Sequence, residues 1–263
     1  PGDVAGRLLV TASDADTDAP AFVTGELTGI DGEDTLTVAR LPMGEDRTPV
    51  ALLPVSSAVQ GPPACLDLAP DGRTCFLVES RGPAPGDAEA MGDLPQGSRL
   101  SAIDLTDPAE PRIAATVEVG IAPTSVSVHP DGGVLAVASA ERRAAIVLVR
   151  YETGADGSVA FGEPLSFPAN GLDDDGATPS MLAWHPSGRY LAAVFPERDE
   201  VMFYEFADAM TDPVDGGTMA ALSLAPWGEP VGVGPYPYTG AFTPSGDHFI
   251  ASCMGWGPDV EGF

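Results

Sequence analysis

Residues 123–139 read PTSVSVHPDGGVLAVAS. Val126 and Val128 alternate with polar neighbours, Pro130, Asp131 and Gly132 supply turn chemistry, and Val134, Leu135 and Val137 form a second apolar run. Alternation on both sides of such a turn predicts a β-hairpin. The pattern recurs as PACLDLAPDGRTCFLVES from Pro63, PSMLAWHPSGRYLAAVF from Pro179 and PYTGAFTPSGDHFIASC from Pro237. Its turn residue falls at Asp71, Asp131, Ser187 and Ser245, in steps of 60, 56 and 58 residues. A repeat of that length built from short strands indicates a β-propeller blade.

Between the hairpins, alternating runs predict strands at residues 35–40, 50–55, 100–105, 114–119, 145–151, 201–206 and 230–233, with a further one at 159–161 or 165–167. Residues 216–225 are looser, and a helical turn is expected there. Helical periodicity is weak throughout, so the chain is expected to be all-β, a single propeller domain with four-stranded antiparallel blades. Counted from turn to turn, its modules are 6–72, 73–132, 133–188 and 189–246, and residues 247–263 begin a fifth. Propellers of this type close with about six to eight blades, and an open arc exposes raw strand edges. The expectation is therefore part of a seven-bladed ring, completed by a further segment or a second chain, with a closed four-bladed ring as the alternative.

The 263 residues carry a formal net charge of −27, and all twelve basic residues are Arg. Such a field repels phosphate backbones and argues against nucleic-acid binding, while favouring cations or a basic partner. No apolar run is long enough to span a membrane as a helix. Three cysteines cannot build a disulfide framework. A three-residue hairpin loop would set Asp67 opposite Cys75 and bring Cys65 and Cys75 diagonally onto one face. A bridge there competes with two buried free thiols.

At the repeated hairpins the chain resembles the lactonase-like and YVTN-repeat propellers, relatives of 6-phosphogluconolactonase and carboxymuconate cyclase. Pro63, Pro123, Pro179 and Pro237 open the matching units, and Pro70, Pro130, Pro186 and Pro244 mark their turns. The resemblance implies a propeller and, in its enzymatic members, lactone chemistry at the central mouth. That family often places a His directly after the opening Pro, where this chain has Ala64, Thr124, Ser180 and Tyr238. None is a general base of suitable pKa. The main expectation is thus an acidic scaffold binding a protein or small ligand at its mouth or rim, and the alternative is a lactone hydrolase or cycloisomerase.

Four features carry candidate chemistry. Glu141–Arg142 and Glu197–Arg198 recur one repeat apart after the second hairpin strand, with Glu79 and Arg81 nearby in the first copy. Guanidinium groups there would clamp a carboxylate ligand bidentately beside a Glu acid or base; surface ion pairing is the plainer reading. Trp227, Tyr236 and Tyr238 would form an aromatic binding rim, or pack between blades. Asp14, Asp16 and Asp18, like Asp173, Asp174 and Asp175, offer oxygen ligands that suit Ca²⁺ or Mg²⁺, although solvated acidic loops are the plainer reading. His129 and His185 share one slot before the turn proline, held elsewhere by Ala69 and Thr243, and are expected to be structural. No cofactor-binding motif stands out.

Overall fold

A computed structural model of the chain describes residues 7–15, 21–27, 32–41, 50–57, 64–169, 177–209 and 221–255. The first sheet holds β1 (Leu8–Ser13), β2 (Thr35–Arg40) and β3 (Ala51–Pro54). The second orders β4 (Leu66–Leu68), β5 (Thr74–Arg81), β6 (Gln96–Asp104) and β7 (Arg112–Glu118) as a four-stranded meander. The third contains β8 (Ser125–Val128), β9 (Val134–Ala138) and β10 (Ile146–Thr153). Its outer strand is split into β11 (Val159–Phe161) and β12 (Leu165–Phe167), each paired with a different end of β10. The fourth repeats that plan with β13 (Met181–Trp184), β14 (Tyr190–Phe195), β15 (Glu200–Ala209), and the outer pieces β16 (Ala221–Pro226) and β17 (Val231–Gly232). The fifth has β18 (Pro237–Phe242) and β19 (Phe249–Cys253). All the sheets are antiparallel, and β4, β8, β13 and β18 stand innermost as consecutive neighbours. This is the β-propeller arrangement. Each sheet that contains a repeated hairpin begins with it, so a module counted from turn to turn takes its last strand from the following sheet. Among the described residues no helix is long and apolar enough to cross a membrane.

The alternation read from the hairpins sorts side chains between neighbouring sheets. Val126 and Val128 face back towards the second sheet, sharing a core with Phe76, Leu100 and Ile103. Leu182 and Trp184 face back towards the third, beside Ile146 and Leu148. Phe242 and Phe249 close on Phe203, Val194 and Val201 of the fourth. Residues 221–225, the described part of the stretch expected to turn helically, belong instead to strand Ala221–Pro226. Leu222 and Leu224 alternate into the third–fourth core while the backbone ladders with β15, and that burial outweighs the weak local preference.

The hairpin loop differs by one residue from expectation. Asp71 accepts from the backbone of Arg73 (2.8 Å) and Thr74 (3.1 Å) and from the Thr74 hydroxyl (3.2 Å), which closes a four-residue loop. Gly72 adopts φ 66° there, a conformation that favours glycine. Cys75 consequently pairs with Leu68, Cys65 lies opposite Val78, and both thiols are free and buried. Burial, with Asp14 as a lesser influence, pushes Cys65 to about 11; burial, with Asp67 and Cys65, pushes Cys75 to about 12.

Neighbouring inner strands are stitched largely by side chains. Asp67 accepts from the Val128 N–H (2.8 Å), Ser125 from Leu182 (3.1 Å) and Ser127 from Trp184 (3.3 Å). At the turns, His129 Nε2 bonds the Gly188 carbonyl (2.9 Å) and His185 Nε2 that of Gly246 (3.1 Å). Each Nδ1 accepts a backbone N–H two residues on, which assigns the neutral Nε2–H tautomer. His129 packs edge-on against Trp184 (4.9 Å), and His185 against Phe242 (4.9 Å). The histidines are sheet-to-sheet staples, as their slot suggested. A Cβ on Gly188 would lie 2.5 Å from the His129 ring, at a residue whose φ is 70°.

His129→Ala is expected to lower unfolding free energy by about 1–3 kcal/mol in urea titrations, through a lost half-buried hydrogen bond and lost packing. Gly188→Ala should cost at least as much, since it strains the turn and displaces the same ring. In native protein near neutral pH, a thiol reagent should modify exposed Cys253 rapidly and reach Cys65 and Cys75 only on unfolding.

Candidate functional site

Antiparallel order puts the connections on two opposite faces. One face carries the tight hairpin turns and the loop that binds Arg112 to Asp104 (2.6 Å) and to the Asp156 carbonyl (3.1 Å). Burial alone would raise the Asp104 pKa, but hydrogen bonds from Thr106 and the Arg112 guanidinium hold it below the usual range. The opposite face, here called the loop face, carries the connections 82–95, 119–124, 139–145, 196–199 and 233–236.

Both Glu–Arg pairs lie on the loop face, in single turns of 3-10 helix, Arg142–Ala144 and Pro196–Arg198. The first turn is tied to its neighbour: Ser139 Oγ donates to the Ile121 carbonyl (3.1 Å) and accepts from the Glu141 N–H (3.1 Å). Glu141 and Arg142 are exposed, and Arg142 has no ion-pair partner among the described residues. Arg198 is drawn in, its guanidinium 5.5 Å over the Phe195 ring. Phe195 aligns with Ser139 in the repeat, so the third sheet has no ring at that position. The two pairs therefore differ in environment despite equal spacing. Glu79 is nearly buried and bound to Arg99 (2.7 Å), a structural use of the carboxylate.

The loop face also concentrates left-handed backbone. Ala122 (φ 43°), Asp199 (φ 56°) and Tyr236 (φ 52°) are the three described non-glycine residues of this kind, and all lie there. Such conformations cost about 1–3 kcal/mol each and cluster at functional sites. Asp199 and Tyr236 hold one another: Asp199 Oδ1 accepts from the Tyr236 N–H (2.7 Å), and the Asp199 carbonyl accepts from Val233 (2.8 Å). Tyr236 and Tyr238 stack with centroids 6.1 Å apart at 21°. Burial, with Tyr236 second, raises the Tyr238 pKa. Trp227 lies instead on the flank of the fourth sheet, 52% exposed and 4.9 Å from the Tyr190 ring.

In the slot after the opening proline, Thr124 donates to the Pro179 carbonyl (3.5 Å) and Ser180 to that of Tyr238 (2.9 Å), so both hydroxyls join neighbouring sheets. Asp14 is half-buried. Asp16, Asp18, Asp173, Asp174 and Asp175 lie outside the described residues. Among the described residues, no group of three or more His, Cys, Asp or Glu is placed to hold a metal.

The four inner strands line a central cavity of about 390 Å³. It is open to one side, its lining mixes half-buried Met181 and Phe242 with Ser127 and Thr243, and its one charged lining residue is Asp67. The hairpin pattern alone does not single out Asp67, although its repeat slot is otherwise filled by Ser127, Ala183 and Ala241.

No family model and no curated protein matches the chain. Solved structures do match in fold. The Pseudomonas aeruginosa periplasmic gluconolactonase PpgL superposes with a TM-score of 0.53 at 21% identity, over 91% of this chain and 59% of its own. A candidate 6-phosphogluconolactonase from Bacteroides uniformis gives 0.51 at 18%, over 84% and 60%. The dihydro-heme d1 dehydrogenase NirN gives 0.53 at 18%, over 94% and 39%. The chain thus spans 39–60% of these proteins' lengths, and at such identities the likeness is one of fold.

Asp199 substitutions should separate the two demands on that residue. Asn, which tolerates left-handed φ and keeps an acceptor, should melt close to the parent; Gly should be lower, having lost the acceptor; Ala should be lowest, having lost both. A thermal-melt series in that order supports the coupled Asp199–Tyr236 geometry.

Proposed function

We propose that this chain belongs to a lactone-opening propeller and that the reaction takes place on the loop face. The observation that carries this is the exposed Glu141–Arg142 pair, whose guanidinium is left without an ion-pair partner among the described residues, on the face where strained backbone gathers. The fold likeness to proteins named as lactonases supports the same reading. In a chain with 39 acidic and 12 basic residues, an Arg not used for internal pairing is available to a ligand.

The chemistry follows from charge. The Glu141 carboxylate takes a proton from water as the oxygen attacks the ring carbonyl, and the Arg142 guanidinium stabilises the resulting oxyanion. Collapse breaks the ring C–O bond, and the departing alkoxide recovers the proton from Glu141. The product is a hydroxy acid, whose carboxylate is expelled by a protein carrying a net charge of −27. The same field disfavours phosphorylated and carboxylated substrates, so a neutral sugar lactone is the expected substrate. Arg198, packed on Phe195, and its neighbour Glu197 shape the rim beside this centre.

A second reading rests on Trp227, whose indole is half exposed. With Tyr236 and Tyr238 it would anchor a protein or small ligand without catalysis.

Hydrolysis of glucono-δ-lactone, followed by proton release, decides between them. Arg142→Ala and Glu141→Gln are each expected to lower kcat/KM by about tenfold or more, at least 1.4 kcal/mol of transition-state stabilisation, with little change in Tm. Arg198→Ala should instead lower Tm, through lost packing on Phe195. A rate equal to that of buffer would remove the hydrolase reading and leave the binding rim.

A further inference from the structure

We propose that the central cavity binds an organic cation of the alkylammonium type, with Asp67 as its counter-charge. Asp67 lies three residues along the inner strand from Ala64, away from the loop-face pair. Its structural task is to accept the Val128 N–H (2.8 Å), while its other oxygen accepts from Leu68 (2.8 Å). At the equivalent position of the next sheet, Ser127 performs the same bridge to Trp184 with a neutral hydroxyl (3.3 Å). In the two sheets after that, the slot holds Ala183 and Ala241. The bridge therefore needs an acceptor and does not need a charge, and the charge at Asp67 is surplus to the fold.

That charge is also uncompensated. Asp67 has no cationic partner among the described residues, and each of its oxygens accepts only one N–H from a group able to accept about two. Asp67 is half-buried, and even partial removal of a carboxylate from water without a counter-ion carries a cost. Consistent with this, burial raises its pKa despite both backbone hydrogen bonds. Its ionisable neighbours bring no positive charge: the Cys75 thiol is held neutral by burial, and so is the Tyr151 phenol.

The remaining walls specify the body of the ligand. Half-buried Met181 and Phe242 give a soft, partly aromatic surface that suits methyl or methylene groups beside a positive nitrogen. One carboxylate among such walls is a poor site for Ca²⁺ or Mg²⁺, which need about six or more oxygen ligands. The volume of about 390 Å³ falls within the range of small-molecule pockets. The net charge of −27 raises the local concentration of any cation and lowers that of anions.

Calorimetric titration of the intact chain with choline and with butylammonium tests this, with 3,3-dimethylbutanol as the neutral isostere of choline. The cations are expected to bind at least about tenfold more tightly than the neutral isostere, and added salt should weaken them. Asp67→Asn should abolish that preference. Asp67→Ser, which copies the Ser127 bridge, supplies a folded control if the Asn variant melts early. Equal affinity for choline and its isostere would overturn the proposal, and so would undetectable cation binding or retention of the preference in Asp67→Ser.

Discussion

Contact between neighbouring inner strands is the constraint on which this structure depends. These strands diverge around the axis, and side chains on one reach the backbone of the next: Ser125 to Leu182, Ser127 to Trp184, Asp67 to Val128. The Gly240 N–H even finds the Met181 sulfur (3.1 Å), a weak acceptor in the same role. Each bridge satisfies an inner-edge donor that would otherwise face the cavity unpaired, at a cost of about 1–3 kcal/mol. The histidine staples fix the turn ends of the same junctions.

This arrangement leaves each face free for a different task. Hairpin turns crowd one face and are committed to stapling, as Gly188 and Gly246 pressed against His129 and His185 show. The connections on the other face vary from four residues at 196–199 to fourteen at 82–95. There the chain holds Ala122, Asp199 and Tyr236 in costly backbone and leaves Arg142 exposed. Rigid sheets thus carry a variable rim, with function in the loops and stability in the scaffold.

The staples illustrate coupling written into the repeat itself. A His before the turn proline is followed, one repeat later, by an aromatic residue at the position that meets it: His129 by Trp184, His185 by Phe242. Where Ala69 takes the slot, Val128 follows. Ring edge meets ring face only if both are present, so the pair behaves as one unit.

Fold class was legible in the residues because the hairpin alternation and its turn residues act locally: four turns in steps of 60, 56 and 58 residues suffice to imply a propeller. The histidine slot was legible for the same reason. Register was not, since a four-residue loop depends on Asp71 capping two backbone donors, which spacing alone does not reveal. The strand at Ala221–Pro226 depended on burial of Leu222 and Leu224 against another sheet. Equal spacing made Arg142 and Arg198 look alike, and tertiary contact, including the ring of Phe195 beneath Arg198, separates them. Asp67 was visible as an odd residue in its slot, but its meaning required the cavity, because a lone carboxylate is unremarkable until its surroundings are seen to offer no cation among the described residues. Local pattern determined the strands and their repeat; tertiary contact decided which side chains became staples, which became rim, and which charge was left unpaired.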